Sequence, residues 1–364
     1  MATLDTHRVE RPKDVRSLLT RCFKVGRPAM IWGPPGIGKS ELIAEIGTET
    51  NRPVIDMRLL LLEPTDIKGI PYYDPETKTM KWAQPADLPT EDYMSNAILF
   101  LDEINAAPQS VQAAAYQLIL NRRVGEYNLP EGVSMVCAGN RDSDRGVTHR
   151  MPSPLANRLV HIEMAANFDD WQKWAIGNKI HADVVGFLSH HKQKLFNFDS
   201  KSPDKAFATP RSWVFVSQLI SDDLPESMNT ALVAGTVGDG LATEFSAHRR
   251  IASKMPKSED VLLGKEKKLN VKDLSAMYSL TISMCYTLEE WVGKAKAKED
   301  GFDTVAWHSC VDNFFTFMMD NFQTEMIVLG AKTALRDYAL PINHRDLKTF
   351  KEFHEKFGKY ILED

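Results

Sequence analysis

The sequence predicts an α/β domain with a parallel, five-stranded sheet core, followed by an α-helical second part. Three observations support this. Short, fully apolar segments alternate with helix-like segments through the first half of the chain. A glycine-rich turn joins the first apolar run to the first helix. After about residue 165 the strand signals fade and apolar residues recur at helical spacing. Apolar strands separated by helices imply a parallel sheet covered on both faces.

The elements follow in order. Residues 28–32 (PAMIW) read as a buried strand, and residues 39–49 as the helix after it. Residues 53–57 form a second strand. Residues 97–101 form a third, apolar and then abruptly acidic. Residues 108–121 read as a helix with proline in its first turn. Residues 134–138 and 159–163 are the remaining strands. Beyond them, Trp171, Trp174, Ile180, Val184 and Leu188 recur at helical steps. So do Val311, Phe314, Phe315, Met318, Met319, Phe322 and Met326, a stripe expected to be core. The Lys-rich stretches 254–272 and 294–298 read as solvated linkers. The expected domains are 1–166, 167–255 and 256–364.

Composition narrows the function. The 364 residues carry a formal net charge of -5, so no overall basic field draws the chain to nucleic acid or anionic lipid. Cys22, Cys137, Cys285 and Cys310 are far apart, which suggests neither a zinc site nor a disulfide framework. That usage fits a reduced, cytoplasmic setting. The first ten residues lack the apolar core of a signal peptide, and the apolar stretch 59–62 is too short to span a bilayer.

The glycine turn, "GPPGIGKS" at residues 33–40, carries the first chemistry. Glycine lets backbone N–H groups turn inward on phosphate oxygens, and the following helix adds the positive end of its dipole. The expected nucleotide-binding set is Gly33, Pro34, Pro35, Gly36, Ile37, Gly38, Lys39, Ser40 and Glu41, with Asp102. Lys39 can reach the β- and γ-phosphates of ATP, and the Ser40 hydroxyl can ligate Mg2+. In "AILFLDEIN" (97–105) the strand delivers Asp102 and Glu103 to its C-terminal end. Asp102 would hold Mg2+, directly or through water, and Glu103 would polarise the attacking water as a general base. The second carboxylate points to a hydrolase; a kinase would need an acceptor site, and none is indicated.

The two motifs together resemble those of the AAA+ ATPases, a branch of the P-loop NTPases. "SMVCAGN" (134–140) resembles their fourth strand, so the resemblance makes Asn140 sensor 1, which orients the lytic water. "PSPLANRLVHIEM" (152–164) resembles the segment that carries the arginine finger, which makes Arg158 the finger; Arg141 and Arg150 lie close by and compete for the role. "ATPRSW" (208–213) resembles the sensor 2 motif of a lid helix, giving Arg211. Residues 63–85, with the helix at 104–124 and a hairpin at 125–135, resemble the helix-2-insert branch of the MoxR type. Residues 157–159 read Asn-Arg-Leu where the family more often has Asp-Arg-Phe or Asp-Arg-Met.

The resemblance covers roughly residues 10–255. It implies a homo-oligomeric ring, most often a hexamer, with ATP at each subunit junction and an arginine finger reaching in from the neighbour. It also implies a protein client, with a separate von Willebrand factor A-domain protein as the typical partner. The alternative is a nucleic-acid motor or loader on the same core; the acidic balance opposes it. "INHRDLKTFK" (342–351) is similar to a kinase catalytic loop but has Lys351 where that pattern needs asparagine. His190 and His191 lack metal-site spacing and read as polar positions on a helix.

Overall fold

The structure, a computed structural model, describes residues 8–144, 151–299, 302–342 and 347–362. The chain divides into two compact units. One is Met1–Asn167 with Asp199–Ser202; the other is Phe168–Phe198 with Pro203–Asp364.

The first unit is built on a parallel sheet. Its strands are β1 (Val9–Glu10), β2 (Ala29–Trp32), β3 (Val54–Arg58), β6 (Ile98–Asp102), β9 (Ser134–Gly139) and β10 (Val160–Met164), in the order β1-β10-β2-β9-β6-β3. The five expected strands are all present. The sixth, β1, adds two residues at the edge, with Val9 opposite Glu163. Two residues are too few to leave a periodic signal. β9 is buried along its whole length, and β2 and β6 along all but their last residue. This is why all three read as continuous apolar runs.

Helices α1 (Pro12–Lys24), α2 (Lys39–Glu49) and α4 (Gln109–Asn121) accompany the sheet. α1 buries Val15, Leu19 and Cys22 at helical spacing. Arg16 ties α1 to α2 through Glu45 and Glu49. The segment after β3 holds a short helix, α3 (Pro64–Lys68), capped reciprocally by Glu63 and Asp66, and an antiparallel hairpin of β4 (Ile70–Asp74) and β5 (Thr79–Ala83). Gly69 joins them with φ +86°; a Cβ there would lie 1.9 Å from the Ala83 carbonyl oxygen, so only glycine fits. A second hairpin pairs β7 (Arg123–Val124) with β8 (Tyr127–Asn128). It turns at Gly125 and ends earlier than the expected 125–135, because β9 already begins at Ser134. A four-residue helix, α5 (Ser153–Ala156), precedes β10.

The second unit is helical: α6 (Phe168–Gly177), α7 (Ala182–His190), α8 (Pro210–Leu219), α9 (Glu226–Val237), α10 (Asp239–Ala252), α11 (Ser258–Leu262), α12 (Leu274–Ala297), α13 (Thr304–Asn321), α14 (Thr324–Lys332) and α15 (Phe350–Leu362). One core gathers Trp171, Val184, Leu188, Trp213 and Phe245. Another gathers the stripe at Val311, Phe314, Phe315, Met318, Phe322 and Met326. α12 enters both, with Ile282 in the first and Leu280, Met284 and Leu288 in the second. The stretch 254–272 is not a solvated linker. α11 buries Val261 and Leu262, and Asn313 and Asn321 of α13 donate to the carbonyls of Leu262 (2.8 Å) and Lys267 (3.1 Å). Its lysines face water while its apolar residues and backbone are held. The stretch 294–298 is not a linker either: it is the last turn of α12 and its C-cap, Lys298, with Ala295 buried in the core and Lys294 paired with Glu290. No helix among the described residues is long and apolar enough to cross a membrane.

α7 and α12 pack through Gly186, which lies against Ser279; a Cβ at Gly186 would be 2.1 Å from Ser279 Oγ and 2.6 Å from its backbone nitrogen. His248 fills the adjoining space, its ring nitrogens bonded to Ser275 Oγ (2.8 Å) and Ser279 Oγ (3.1 Å), and burial lowers its pKa. Gly186→Ala therefore forces these helices apart. It should lower the stability of this unit by about 1–3 kcal/mol, read as a shifted urea midpoint. Gly177→Ala, where an added Cβ would meet nothing within 4 Å beyond its chain neighbours and its own helix backbone, is the control and should cost nothing.

Candidate functional site

The strand order creates the site. The chain passes from β2 to β3 across the sheet, skipping β9 and β6. Such a switch opens a crevice beyond the C-terminal strand ends. Trp32 lies opposite Gly139, and Leu101 opposite Cys137, so the residues after β2, β6 and β9 converge there.

The loop that follows β2 is held on its inner side. Gly33 donates its N–H to the Gly139 carbonyl (3.3 Å), and a Cβ on Gly33 would lie 2.6 Å from the Met164 carbonyl oxygen. Ile37 is buried and anchors the middle of the loop. Gly36 and Gly38 take φ of +75° and +95°. These left-handed positions let the chain curl and enter α2 at Lys39. The N-cap, Gly38, offers no side chain, so the first N–H groups of α2 have no side-chain cap. Glu41 is exposed on that first turn. Pro34 is buried and Pro35 half-buried.

The charged groups meet across the strand ends. Lys39 Nζ donates to the carbonyls of Gly33 (2.6 Å) and Pro34 (3.0 Å) and to Asn140 Oδ1 (3.2 Å). Ser40 Oγ donates to Asp102 Oδ2 (3.2 Å), and the Glu103 N–H donates to Asp102 Oδ1 (2.9 Å). Glu103 itself has φ +55°, a left-handed backbone that a glutamate adopts only at a cost. The contribution of β3 left no signal in the sequence. There Arg58 pairs in register with Asp102, and burial together with the Asp102 charge raises the pKa of Asp56. A single strand's residues do not reveal which strand lies beside it.

The arginines differ. Arg158 follows α5, is exposed, and donates to the Leu120 carbonyl (2.9 Å). Arg141 is committed inside the unit: it holds Asp144 through two bonds of 3.1 Å and Glu163 through one of 2.8 Å. Arg150 lies outside the described residues. Arg211 belongs to the helical unit, exposed in the first turn of α8, whose start is fixed by a reciprocal Thr209–Ser212 cap. Trp32, the last residue before the loop, donates to His161 Nδ1 (2.9 Å), and His161 Nε2 bonds the Ala156 carbonyl (2.8 Å). This ring clamps the end of β2 to the segment that carries Arg158.

Residues 28–157 match the model of the AAA domain (dynein-related subfamily). The chain is 23% identical over 185 residues to midasin of Giardia intestinalis, which covers 48% of this chain and 4% of that protein. The match is therefore to a small part of a much longer chain. Among solved structures, a mutant of RuvB from Thermotoga maritima aligns with 69% of this chain and 73% of its own, at 15% identity and a TM-score of 0.39. NtrX from Brucella abortus, in complex with ADP, aligns with 77% of this chain and 65% of its own, at 14% identity and a TM-score of 0.35. The family match supports an ATPase in general.

Arg141 and Arg158, the finger candidates that lie among the described residues, should separate in a stability measurement. Arg141→Ala strands the buried Asp144 carboxylate and should cost about 1.5–3 kcal/mol. Arg158→Ala removes one exposed bond and should stay within about 0.5 kcal/mol. Urea unfolding of both variants checks this; equal losses would contradict the assignment of Arg141 as a structural residue.

Proposed function

We propose that the chain is an ATP-hydrolysing AAA+ ring ATPase of the MoxR type that remodels or activates a partner protein. The observation that carries this reading is the pairing of Ser40 with Asp102 and of Lys39 with Asn140 at neighbouring strand ends. The oxygens of Ser40 and Asp102 suit a hard cation such as Mg2+, completed by phosphate and water. The bound Mg2+–ATP supplies the phosphoryl bond to be broken.

The chain's residues divide the work. Lys39 and the N–H groups of residues 36–40 neutralise the β- and γ-phosphates. Glu103 takes a proton from water as the water oxygen attacks the γ-phosphorus, and the bond to the β-phosphate oxygen breaks to leave ADP. Asn140 orients that water. Arg158, exposed at the surface, serves the site of the next subunit, where it stabilises charge on the transferring group. Arg211 acts from the helical lid as sensor 2. In this reading the protomers form a ring, most simply a hexamer, and the hairpins after β3 and α4 face a protein client, with a separate von Willebrand factor A-domain protein as a candidate.

Glu103→Gln should bind ATP as the wild type does but turn it over about 10²–10⁴-fold more slowly. Lys39→Ala should lose binding. Neither single- nor double-stranded DNA should stimulate the wild type; strong stimulation would replace the protein partner with nucleic acid. An equimolar mixture of Glu103→Gln and Arg158→Ala should recover turnover that neither variant has alone, because one supplies the finger and the other the base. No recovery would contradict the trans-acting finger.

A further inference from the structure

The turn that carries Glu103 is fastened to the end of β9 by two bonds. The Ile104 N–H donates to the Ala138 carbonyl (3.1 Å), and Asn105 Nδ2 donates to the carbonyl of Asn140 (2.8 Å). Asn105 is only 3% exposed. Its orientation is fixed by chemistry, since only the amide NH2 can face a carbonyl. That leaves Asn105 Oδ1 buried with no hydrogen-bond partner among the described residues. It points at Gly139: a Cβ there would lie 2.4 Å from Oδ1. A buried acceptor without a donor costs stability, and an apolar side chain of the same size would avoid the cost. The side chain is thus a poor choice for packing alone.

We infer that Asn105 is a positioning residue that sets Asn140 relative to Glu103. This rests on the ATPase reading above and deepens it. Glu103 and Asn140 sit on different strand ends, and both must address one water. The backbone of Asn140 is held from the Glu103 turn by Asn105, while its side chain meets Lys39. The absence of a side chain at Gly139 admits the Asn105 amide to that place. Among the described residues Asn105 makes no hydrogen bond to the phosphate-binding loop; its amide bonds the Asn140 carbonyl, and it acts through the Asn140 peptide.

The test is Asn105→Leu, alone and with Asn140→Ala, in the full-length chain. The single variant removes the orphaned acceptor but also the donor to the Asn140 carbonyl, so these two effects offset and the melting temperature should change little. Its affinity for a fluorescent ADP analogue should stay within about two-fold of wild type. Its kcat should fall about 10–100-fold. In the Asn140→Ala background the same change should cost less than about two-fold more. An unchanged kcat, or a loss that simply multiplies with that of Asn140→Ala, would overturn the inference. If Asn105→Leu does not fold, Asn105→Asp carries the test. It keeps the shape but sets an acceptor against the Asn140 carbonyl, so kcat should fall while analogue binding holds; parallel loss of both overturns the inference. Absence of ATP turnover in the wild type overturns the proposed function instead.

Discussion

Parallel pairing of β2, β9 and β6 in one register is the constraint on which the rest depends. It sets Trp32 beside Gly139 and Leu101 beside Cys137. The segments that follow those positions then meet beyond the strand ends. Lys39 reaches Asn140 and Ser40 reaches Asp102 only because three strand ends, separated by up to about a hundred residues, stop at the same level. The register is enforced by burial. A one-residue slip would move apolar side chains of β9, buried from Ser134 to Gly139, out of their packing.

The loop shows how close approach and backbone freedom divide among its glycines. Gly36 and Gly38 supply positive φ, while Gly33 supplies room against the Met164 carbonyl. Glu103 has a left-handed backbone without being glycine, and the strain is held by the Asp102 carboxylate on its own N–H and by the bonds of the turn to β9. The local distortion at Glu103 and the unpartnered oxygen of Asn105 lie two residues apart in one turn. Both disfavour folding, and together they fall where the chemistry is proposed to occur.

Much of this was legible in the sequence. The five apolar strands, the glycine loop and the Asp102-Glu103 strand end each follow from local pattern, because burial on both sheet faces writes itself as an unbroken apolar run. β1 was not legible, since two residues carry no period. The packing of the 254–272 stretch was also missed: its lysines dominate the composition, while the buried Ser258, Val261, Leu262 and Leu269 and two side-chain amides from α13 do the anchoring. The roles of Arg58 and Asp56 beside Asp102, of Asn105 beneath Asn140, and of Arg141 in an internal ion-pair set were likewise hidden. Each depends on which strand or turn lies alongside, and that is a property of the register.

The central claim is that these strand ends form a triphosphate site. The most direct measurement is a structure of the chain bound to a non-hydrolysable ATP analogue with Mg2+. The account predicts the β- and γ-phosphates inside the loop of residues 33–40, Lys39 Nζ turned from the Gly33 and Pro34 carbonyls onto them, and Ser40 Oγ beside the cation. An analogue bound elsewhere, with Lys39 still on those carbonyls, would contradict it.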